Sequence, residues 1–531
     1  MKLTKIALAC TLAVSAMTAQ AAAVPVPGTA TTIYFSGASA PDQFLTAVAG
    51  TMFQAGFITV TSADGNYRAY VGKSAGFTGV PAGTDLVFMK RSQGGSVWGV
   101  DPVARAQQIK YLNLADATCT NSNATTYVCP VAGTDPSTSV AGVGLIPDFG
   151  VSDVEPAMFK GEYNVENGLT QLTNAEAGRL KAFGVNQLMM GIVATNSVAD
   201  TTHLSRANYA GMLAGKITDW SPVDGSADPV VVCRRVNGSG TQASYNWFFT
   251  GFPCNAASSG FADLAPALAS NSFGYTATTG TAADPHIIDP TAGFTVVENS
   301  GSGDVRNCLS RAHFGLDHTV QGDTGVFYKV LFSTVPGTPA GTPTVTGTGT
   351  NPLPVQGGPS KAIGVLSLDS YVRANTNYAQ TVGTGAAANT FTYPGSGWSF
   401  RMLDGAGVFN GATQTCTGTC TGLAPSKANL VDGKYDFTVE LSMQYRNVAV
   451  GATPALSGTK LAFFNELRKR VGSTAYTAST TIPSASAAVP NAYATLPDVE
   501  SYTTPATNAA KVTKYTRSAN TCSPLVFKPS L

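Results

Sequence analysis

The 531-residue chain is short of charge: Asp, Glu, Lys and Arg make up 12% of it, and 32 basic residues offset 31 acidic ones to a net +1. An ordinary globular protein carries about 25% charged residues. No block of five or six like charges occurs, which excludes a polyanion-binding stripe and an acidic tail, so nucleic acid is not an expected partner. Histidine is scarce as well. None of the four, His203, His286, His313 and His318, forms the HxxxH pair that sets two imidazoles on one helical face. There is no CxxC pair, and Cys416-x3-Cys420 has no second ligand pair near it, so no metal or cofactor is expected. No stretch beyond the first twenty-odd residues reaches the run of about 18 apolar residues that a membrane span needs.

Enzyme signatures are missing too. The one GxSxG match, Gly72-Lys73-Ser74-Ala75-Gly76, is followed by a segment containing Gly79, Pro81 and Gly83, not by the helix of a nucleophile elbow. The same lysine and serine lack the upstream glycine of a phosphate-binding P-loop. Neither a hydrolase nor a nucleoside triphosphatase is supported, and no catalytic residue is assigned.

What the chain does have is a leader, paired cysteines and a recurring local unit. Lys2 and Lys5, the apolar run 6–16 and the small-x-small site Ala19-Gln20-Ala21 are the three parts of a secretory signal, giving an expected leader of residues 1–21 and an exported product. A lipoprotein signal ending at Cys10 fits less well, because only four apolar residues precede it. Eight cysteines remain, an even count that reads as disulfides in an oxidising compartment. Spacing pairs Cys119 with Cys129, Cys233 with Cys254 and Cys416 with Cys420, leaving Cys308 for Cys522, one choice among many.

Strand, small-residue loop and helix recur in order. The stretch 31–35 is β-prone, Ser36-Gly37-Ala38-Ser39-Ala40 is small, and Pro41 opens a segment with Phe44, Val48 and Met52 on one helical face. A second unit has strand 86–89, the loop Arg91-Ser92-Gln93-Gly94-Gly95-Ser96 and a helix capped by Asp101. A third has strand 229–233, the loop 234–241 with Gly238-Ser239-Gly240, and helix 242–250. A helix over 205–213 is predicted from the cap Ser205 and the terminating Gly215. The tracts 334–358, 381–421 and 473–490, rich in Gly, Thr, Ser, Ala and Pro, read as loops or insertions. Alternating strands and helices predict an α/β fold with parallel sheets.

These loops suit anions. The first N–H groups of a helix lack internal partners and its dipole places about half a positive charge there, so a small-residue loop entering a helix can hold an oxyanion. Gly238 and Gly240 allow close backbone approach, Ser239 and Thr241 add hydroxyls, and Arg235 adds a two-pronged cation. A plain Gly-Ser-Gly turn is the simpler reading of the same residues. Asp148 and Asp153 put carboxylates in another loop, and Asp153 reads equally as a helix N-cap over 154–159.

In order and in residues, these segments resemble the periplasmic phosphate-binding protein of bacterial phosphate ABC transporters. Ser36-Gly37-Ala38-Ser39-Ala40-Pro41 is similar to that family's first glycine-rich loop, Ser92-Gln93-Gly94-Gly95 to its serine and double-glycine loop, and Asp148-Phe149-Gly150-Val151-Ser152-Asp153 to its acidic loop. Gly215-Lys216-Ile217 with Trp220 resembles the end of a second-lobe helix, and Arg234-Arg235-Val236-Asn237-Gly238-Ser239-Gly240-Thr241 the family's most specific motif. Ala362-Ile363-Gly364 and Tyr493-Ala494-Thr495-Leu496-Pro497 follow in the same order, so the resemblance runs from about 31 to 498 with large insertions.

The resemblance implies a two-lobed α/β fold of the type II-like periplasmic binding protein kind, with mixed sheets, flanking helices and a two-strand hinge. The implied division is lobe 1 over 22–185, lobe 2 over 186–370, and a return to lobe 1 over 371–531. It also implies a ligand set of Ser39, the Ala40 amide, Ser92, Asp153, Arg235, Ser239, the Gly240 amide and Thr241. Asn237, counted with the site, stands where the family usually has an aspartate paired with the arginine. Asp153 is the implied selectivity residue: HPO4 2− donates a hydrogen bond to a fixed carboxylate, whereas sulfate has no proton with which to do so and is repelled. The expected ligand is phosphate or a related tetrahedral oxyanion, the expected partner an ABC permease, and the expected state a monomer in the periplasm or at the cell surface. A surface or matrix protein reusing the fold, with its insertions as the working part, is the alternative.

Overall fold

Thr31–Gly37 forms strand β1, with Ile33 and Phe35 fully buried, and the small polar loop after it enters helix α1 (Asp42–Gly50) with Pro41 at the N-cap. The computed structural model describes residues 20–530 apart from 138–139, 167–168, 255–260, 375, 384–386 and 479–488. The expected leader, apart from Gln20 and Ala21, lies outside the described residues. Among them, no helix is long and apolar enough to cross a membrane.

Strands β2 (Ile58–Thr61), β3 (Tyr67–Lys73) and β4 (Asp85–Arg91) run antiparallel in succession, and β4 lies parallel to β1 with Leu86 opposite Thr31. The loop after β4 passes through a 3₁₀ turn, Ser96–Gly99, into helix α2 (Asp101–Arg105). Asp101, expected as the cap, is the first residue of the helix, and its carboxylate pairs with Arg105 one turn on at 3.1 Å. Strand β5 (Phe149–Ser152) lies parallel to β1 on its other side. Strand β6 (Leu180–Thr195) is 16 residues long. Helix α3 (Arg206–Leu213) follows as expected, with the Ser205 hydroxyl accepting from the Asn208 N–H and Gly215 at φ 68° just past its end.

Two strand–loop–helix units then lie side by side: β7 (Val231–Arg235) with α4 (Gly240–Thr250), and β8 (Thr295–Asn299) with α5 (Ser302–Phe314), β7 and β8 being parallel. Strand β9 (Ala362–Ser367) is parallel to β7 and antiparallel to β6, and β10 (Trp398–Arg401) pairs with the end of β6. Strand β11 (Thr438–Arg446), helix α6 (Gly458–Gly472) and strand β12 (Tyr493–Thr495) complete the frame.

Two mixed sheets result, in the order β2-β3-β4-β1-β5-β11-β6 and β8-β7-β9-β6-β10. They share β6. Its first part, through Met189, pairs with β11, and Met190 to Ala194 pair with β9. Strand β10 belongs to the second sheet, and the chain re-enters the first at β11. Helix α6 covers the first sheet through Phe463 and Phe464, whose rings lie 5.5 Å from Phe88 and 5.2 Å from Phe149. Burying each such ring is worth about 1.5–3 kcal/mol.

The Gly- and Thr-rich tracts hold more structure than their composition predicts. Thr344–Gly347, Asn389–Tyr393 and Tyr378–Val382 form a three-stranded antiparallel sheet, with Thr344 opposite Thr392 and Tyr378 opposite Tyr393. Each strand is too short to read locally, and its pairing with a partner about 7 to 48 residues away in sequence decides the conformation.

The disulfides follow the fold. Cys119–Cys129 and Cys416–Cys420 form as spacing predicts, but the other two are Cys233–Cys308 and Cys254–Cys522. The correction has a physical cause: α4 lies between Cys233 and Cys254 and carries the chain about 16 Å along its axis. Helix α5 instead packs back against β7 and brings Cys308 to a Cα separation of 5.9 Å from Cys233. Reduction should add eight protons to the intact mass, and peptide mapping should recover Cys233–Cys308 and Cys254–Cys522; a Cys233–Cys254 peptide would contradict this chain path. Replacing Cys254 and Cys522 by serine, which opens a 268-residue span, should lower stability to urea by about 2–5 kcal/mol.

Candidate functional site

Strands β1, β4, β7 and β8 each end in a small-residue loop that enters a helix or 3₁₀ turn. Since β1 is parallel to β4 and β7 to β8, the loops of each pair emerge at the same end of their sheet, the place where open α/β sheets bind ligands.

The loops meet around Arg235, which is only 2% exposed. Its Nε donates to the Asn299 carbonyl at 3.1 Å, Nη2 to the Ser300 carbonyl at 2.6 Å, and Nη1 to the hydroxyls of Ser39 at 3.0 Å and Ser302 at 3.2 Å. All these acceptors are neutral, so the positive charge is held by dipoles. Burial lowers the guanidinium's pKa, opposed by the charges of Asp153, Asp304, Asp42 and Glu166. Two glycines allow the close approach. A Cβ on Gly240 would lie 2.3 Å from Ser96 Oγ and 2.7 Å from Asp153 Cβ, and one on Gly95, at φ 91°, would lie 2.8 Å from Arg235 Nη2.

Asp153 lies beside this group and is 1% exposed. Its N–H donates to Ser96 Oγ at 3.0 Å, its Oδ2 accepts from the Thr241 hydroxyl at 3.1 Å, and its Oδ1 has no partner in the protein. Burial pushes its pKa up to about 6, against the opposing pull of Arg235 and of the Thr241 hydrogen bond. Asp153 caps no helix: the next turn, Pro156–Lys160, has Glu155 at its N-cap. Ser239 caps α4 by accepting from the Gln242 N–H. The first N–H groups of α4 and α5 have no partners within their helices, and both helix N-termini face the guanidinium; α1 turns its Gln43 N–H to Asp369 Oδ2 at 2.9 Å and brings only Ser39, in the loop before it, to Arg235.

A second buried pair braces the first loop. Lys90 Nζ donates to the Ala38 carbonyl at 2.9 Å, to Asp42 Oδ1 at 2.5 Å and to the Ser92 hydroxyl, and Ser92 Oγ donates to Asp42 Oδ1 at 3.0 Å. Burial lowers the Lys90 pKa, and Asp42 opposes that shift. Across the site, Asp304 Oδ2 accepts from the Gly301 N–H at 2.8 Å and the Ser300 hydroxyl at 3.3 Å, and burial pushes its pKa up to about 6.

No protein-family model matches the chain, and no curated protein does. Among solved structures it is similar to a human phosphate binding apolipoprotein (13% identity, TM-score 0.34, covering 87% of this chain and 90% of that one). It is also similar to PstS from Borrelia burgdorferi (10% identity, TM-score 0.30, covering 82% and 92%) and to an ABC-type phosphate transport receptor from Vibrio cholerae (13% identity, TM-score 0.24, covering 60% and 74%). At such low identity the site is read from its own residues.

Of the residues singled out in the sequence, Ser39, Asp153, Arg235, Ser239, Gly240 and Thr241 lie together. Ala40 is buried beside them, its carbonyl accepting from the Ser367 hydroxyl at 2.8 Å. Ser92 is held by Lys90 and Asp42, and it is Ser96, four residues on in the same loop, that lies against Asp153 and Gly240. Asn237 faces away from Arg235: its Oδ1 accepts from Arg234 Nη2 at 2.6 Å. Ser302 and Asp304 were not legible as site residues, although Ser300-Gly301-Ser302-Gly303 after β8 repeats the Gly-Ser-Gly pattern after β7, a signal that would have found them.

A cavity of about 880 Å³ lies on the other side of the Asn237–Gly238 turn, lined by Glu166, Tyr275, Glu298 and Tyr328 among others. It is separate from the Arg235 group: a Cβ on Gly238 would lie 3.1 Å from Glu166 Cγ, which puts the turn against the cavity wall. Among the described residues, no group of three or more His, Cys, Asp or Glu is placed to hold a metal ion.

Proposed function

We propose that the chain is an exported solute-binding protein that captures phosphate, or a closely related protonated tetrahedral oxyanion, between its two sheets and delivers it to an ABC permease. The observation that carries this reading is the meeting of one buried guanidinium, two helix N-termini and a buried carboxylate with one oxygen left unpartnered. Arginine, hydroxyls and helix N–H groups suit deprotonated oxygens. The carboxylate suits an oxygen that still carries a proton, a combination that HPO4 2− and H2PO4− meet and sulfate does not. The remaining expectations, a periplasmic monomer without cofactor or catalytic residue, belong to this reading. Movement of the two sheets about β6 would open and close the site, as in other hinged binding proteins.

Calorimetry on refolded, phosphate-stripped protein tests the reading. Phosphate should bind with a dissociation constant at or below about 10 μM, with sulfate ineffective. Silence toward every oxyanion would overturn it and favour a surface protein that reuses the fold.

A further inference from the structure

The loop after β8 repeats, one strand over, the geometry of the loop after β7. We infer that Ser302, the first residue of α5, is a direct ligand of the oxyanion and that the N-terminus of α5 forms a third wall of the site. The inference rests on the proposed oxyanion-binding function and extends it to residues outside the recognised loops.

Ser302 is 2% exposed, and its Oγ lies 3.1 Å from Ser39 Oγ and 3.2 Å from Arg235 Nη1, while its N–H donates to Ser39 Oγ at 3.2 Å. Ser39 and Ser302 therefore sit on one prong of the guanidinium. The other prong faces Gly95 and, through that glycine, the Cα of Ser239 at the start of α4. Helix α5 is 13 residues long, so its N-terminal N–H groups carry the full helix-end dipole. The turn that presents it is braced from both sides: Arg235 Nη2 holds the Ser300 carbonyl, and the Asp304 carboxylate holds the Gly301 N–H and the Ser300 hydroxyl. Asp304 thus acts as a positioning residue.

An independent feature points to a ligand at the same place, the unpartnered Oδ1 of the buried Asp153. Charge alone does not attract an anion here, because Arg235 and Lys90 face Asp153, Asp304 and Asp42. A tetrahedral anion is instead held oxygen by oxygen. One protonated oxygen donates to Asp153, one accepts from Arg235, one from α4 with Thr241, and one from the wall formed by Ser39, Ser302 and α5.

Titration of the full mature protein with inorganic phosphate, unaltered and as Ser302→Ala, tests this. The variant should keep the circular dichroism spectrum and, without phosphate, a melting midpoint within about 2 °C of the unaltered protein, since one small hydroxyl is lost. Its phosphate affinity should fall about tenfold or more, the loss expected for one hydrogen bond to a charged group. Phosphate should accordingly raise its melting midpoint less. Ser302→Gly, which also lacks the hydroxyl and adds no bulk, should show the same weakening and stands in if the alanine variant does not fold. If the unaltered protein binds phosphate and both variants bind it equally well, the Ser302 assignment is wrong and the oxyanion reading survives. If the unaltered protein binds neither phosphate nor any other tetrahedral oxyanion, both are overturned.

Discussion

Replacing Arg235 by methionine should weaken phosphate binding by at least about 30-fold, or about 2 kcal/mol. A unit-charge pair about 4 Å apart is worth about 4 kcal/mol at an effective dielectric of about 20, and part of that is offset by removing the anion from water. In this site the loss has nothing to replace it. The other cation, Lys90, is already committed to Asp42, the Ala38 carbonyl and Ser92. Without the guanidinium, an incoming dianion meets the carboxylates of Asp153, Asp304 and Asp42 with only dipoles in its favour. The same change removes the bonds that the Asn299 and Ser300 carbonyls and the Ser39 hydroxyl accept from Arg235, leaving them the N–H groups of Val236, Gly94 and Ser302 in turn, so the phosphate-free protein should also melt at a lower temperature. Arg235→Lys separates the two effects: it restores the charge but cannot span Ser39 and Ser300 together, so its affinity should fall between those of the methionine variant and the unaltered protein. Calorimetry of the three proteins checks this, and unchanged affinity in the methionine variant would place the site elsewhere.

The second large effect concerns selectivity. Asp153→Asn should admit sulfate, improving its affinity by one to two orders of magnitude while weakening that of phosphate, because a carboxylate that accepts becomes an amide that donates. The pH dependence has a definite sign. Burial raises the Asp153 pKa to about 6, so the group is a carboxylate above that pH, repelling sulfate, and a neutral acid below it, able to donate to sulfate. Sulfate binding by the unaltered protein should therefore be absent at pH 8 and emerge as the pH falls through about 6. In Asp153→Asn it should be present at both ends of that range. A sulfate affinity that does not respond to pH in the unaltered protein, or selectivity retained in the variant, would remove Asp153 from its role.

Much of this site could be read locally. The loops 36–41 and 92–96 and the Gly238-Ser239-Gly240 turn each combine small residues with a following helix signal. That combination is a property of a few neighbouring residues, as is the Ser205 cap that starts α3. Arg235 and Asp153 stood out for their residue type within such loops. Asn237 shows where that reasoning stops: the family resemblance counted it with Arg235, but it lies in the turn beyond the end of β7, and there its Oδ1 accepts from Arg234. Ser302 lies 263 residues from Ser39, and no local pattern reports that the two hydroxyls touch. The cysteines repeat the point, since Cys233 bonds to a helix 75 residues on and not to the cysteine 21 residues away.

The scarcity of charge, the even cysteine count and the order of the strand–loop–helix units were determined by the sequence alone. All of them depend on composition or on interactions within a turn or two of chain. Which loops meet, which cysteines pair and which carboxylate is buried deeply enough to hold a proton near pH 6 were decided only by the tertiary structure. Those outcomes depend on strand order around β6 and on the exclusion of water from the junction of the two sheets, both of which join residues hundreds of positions apart.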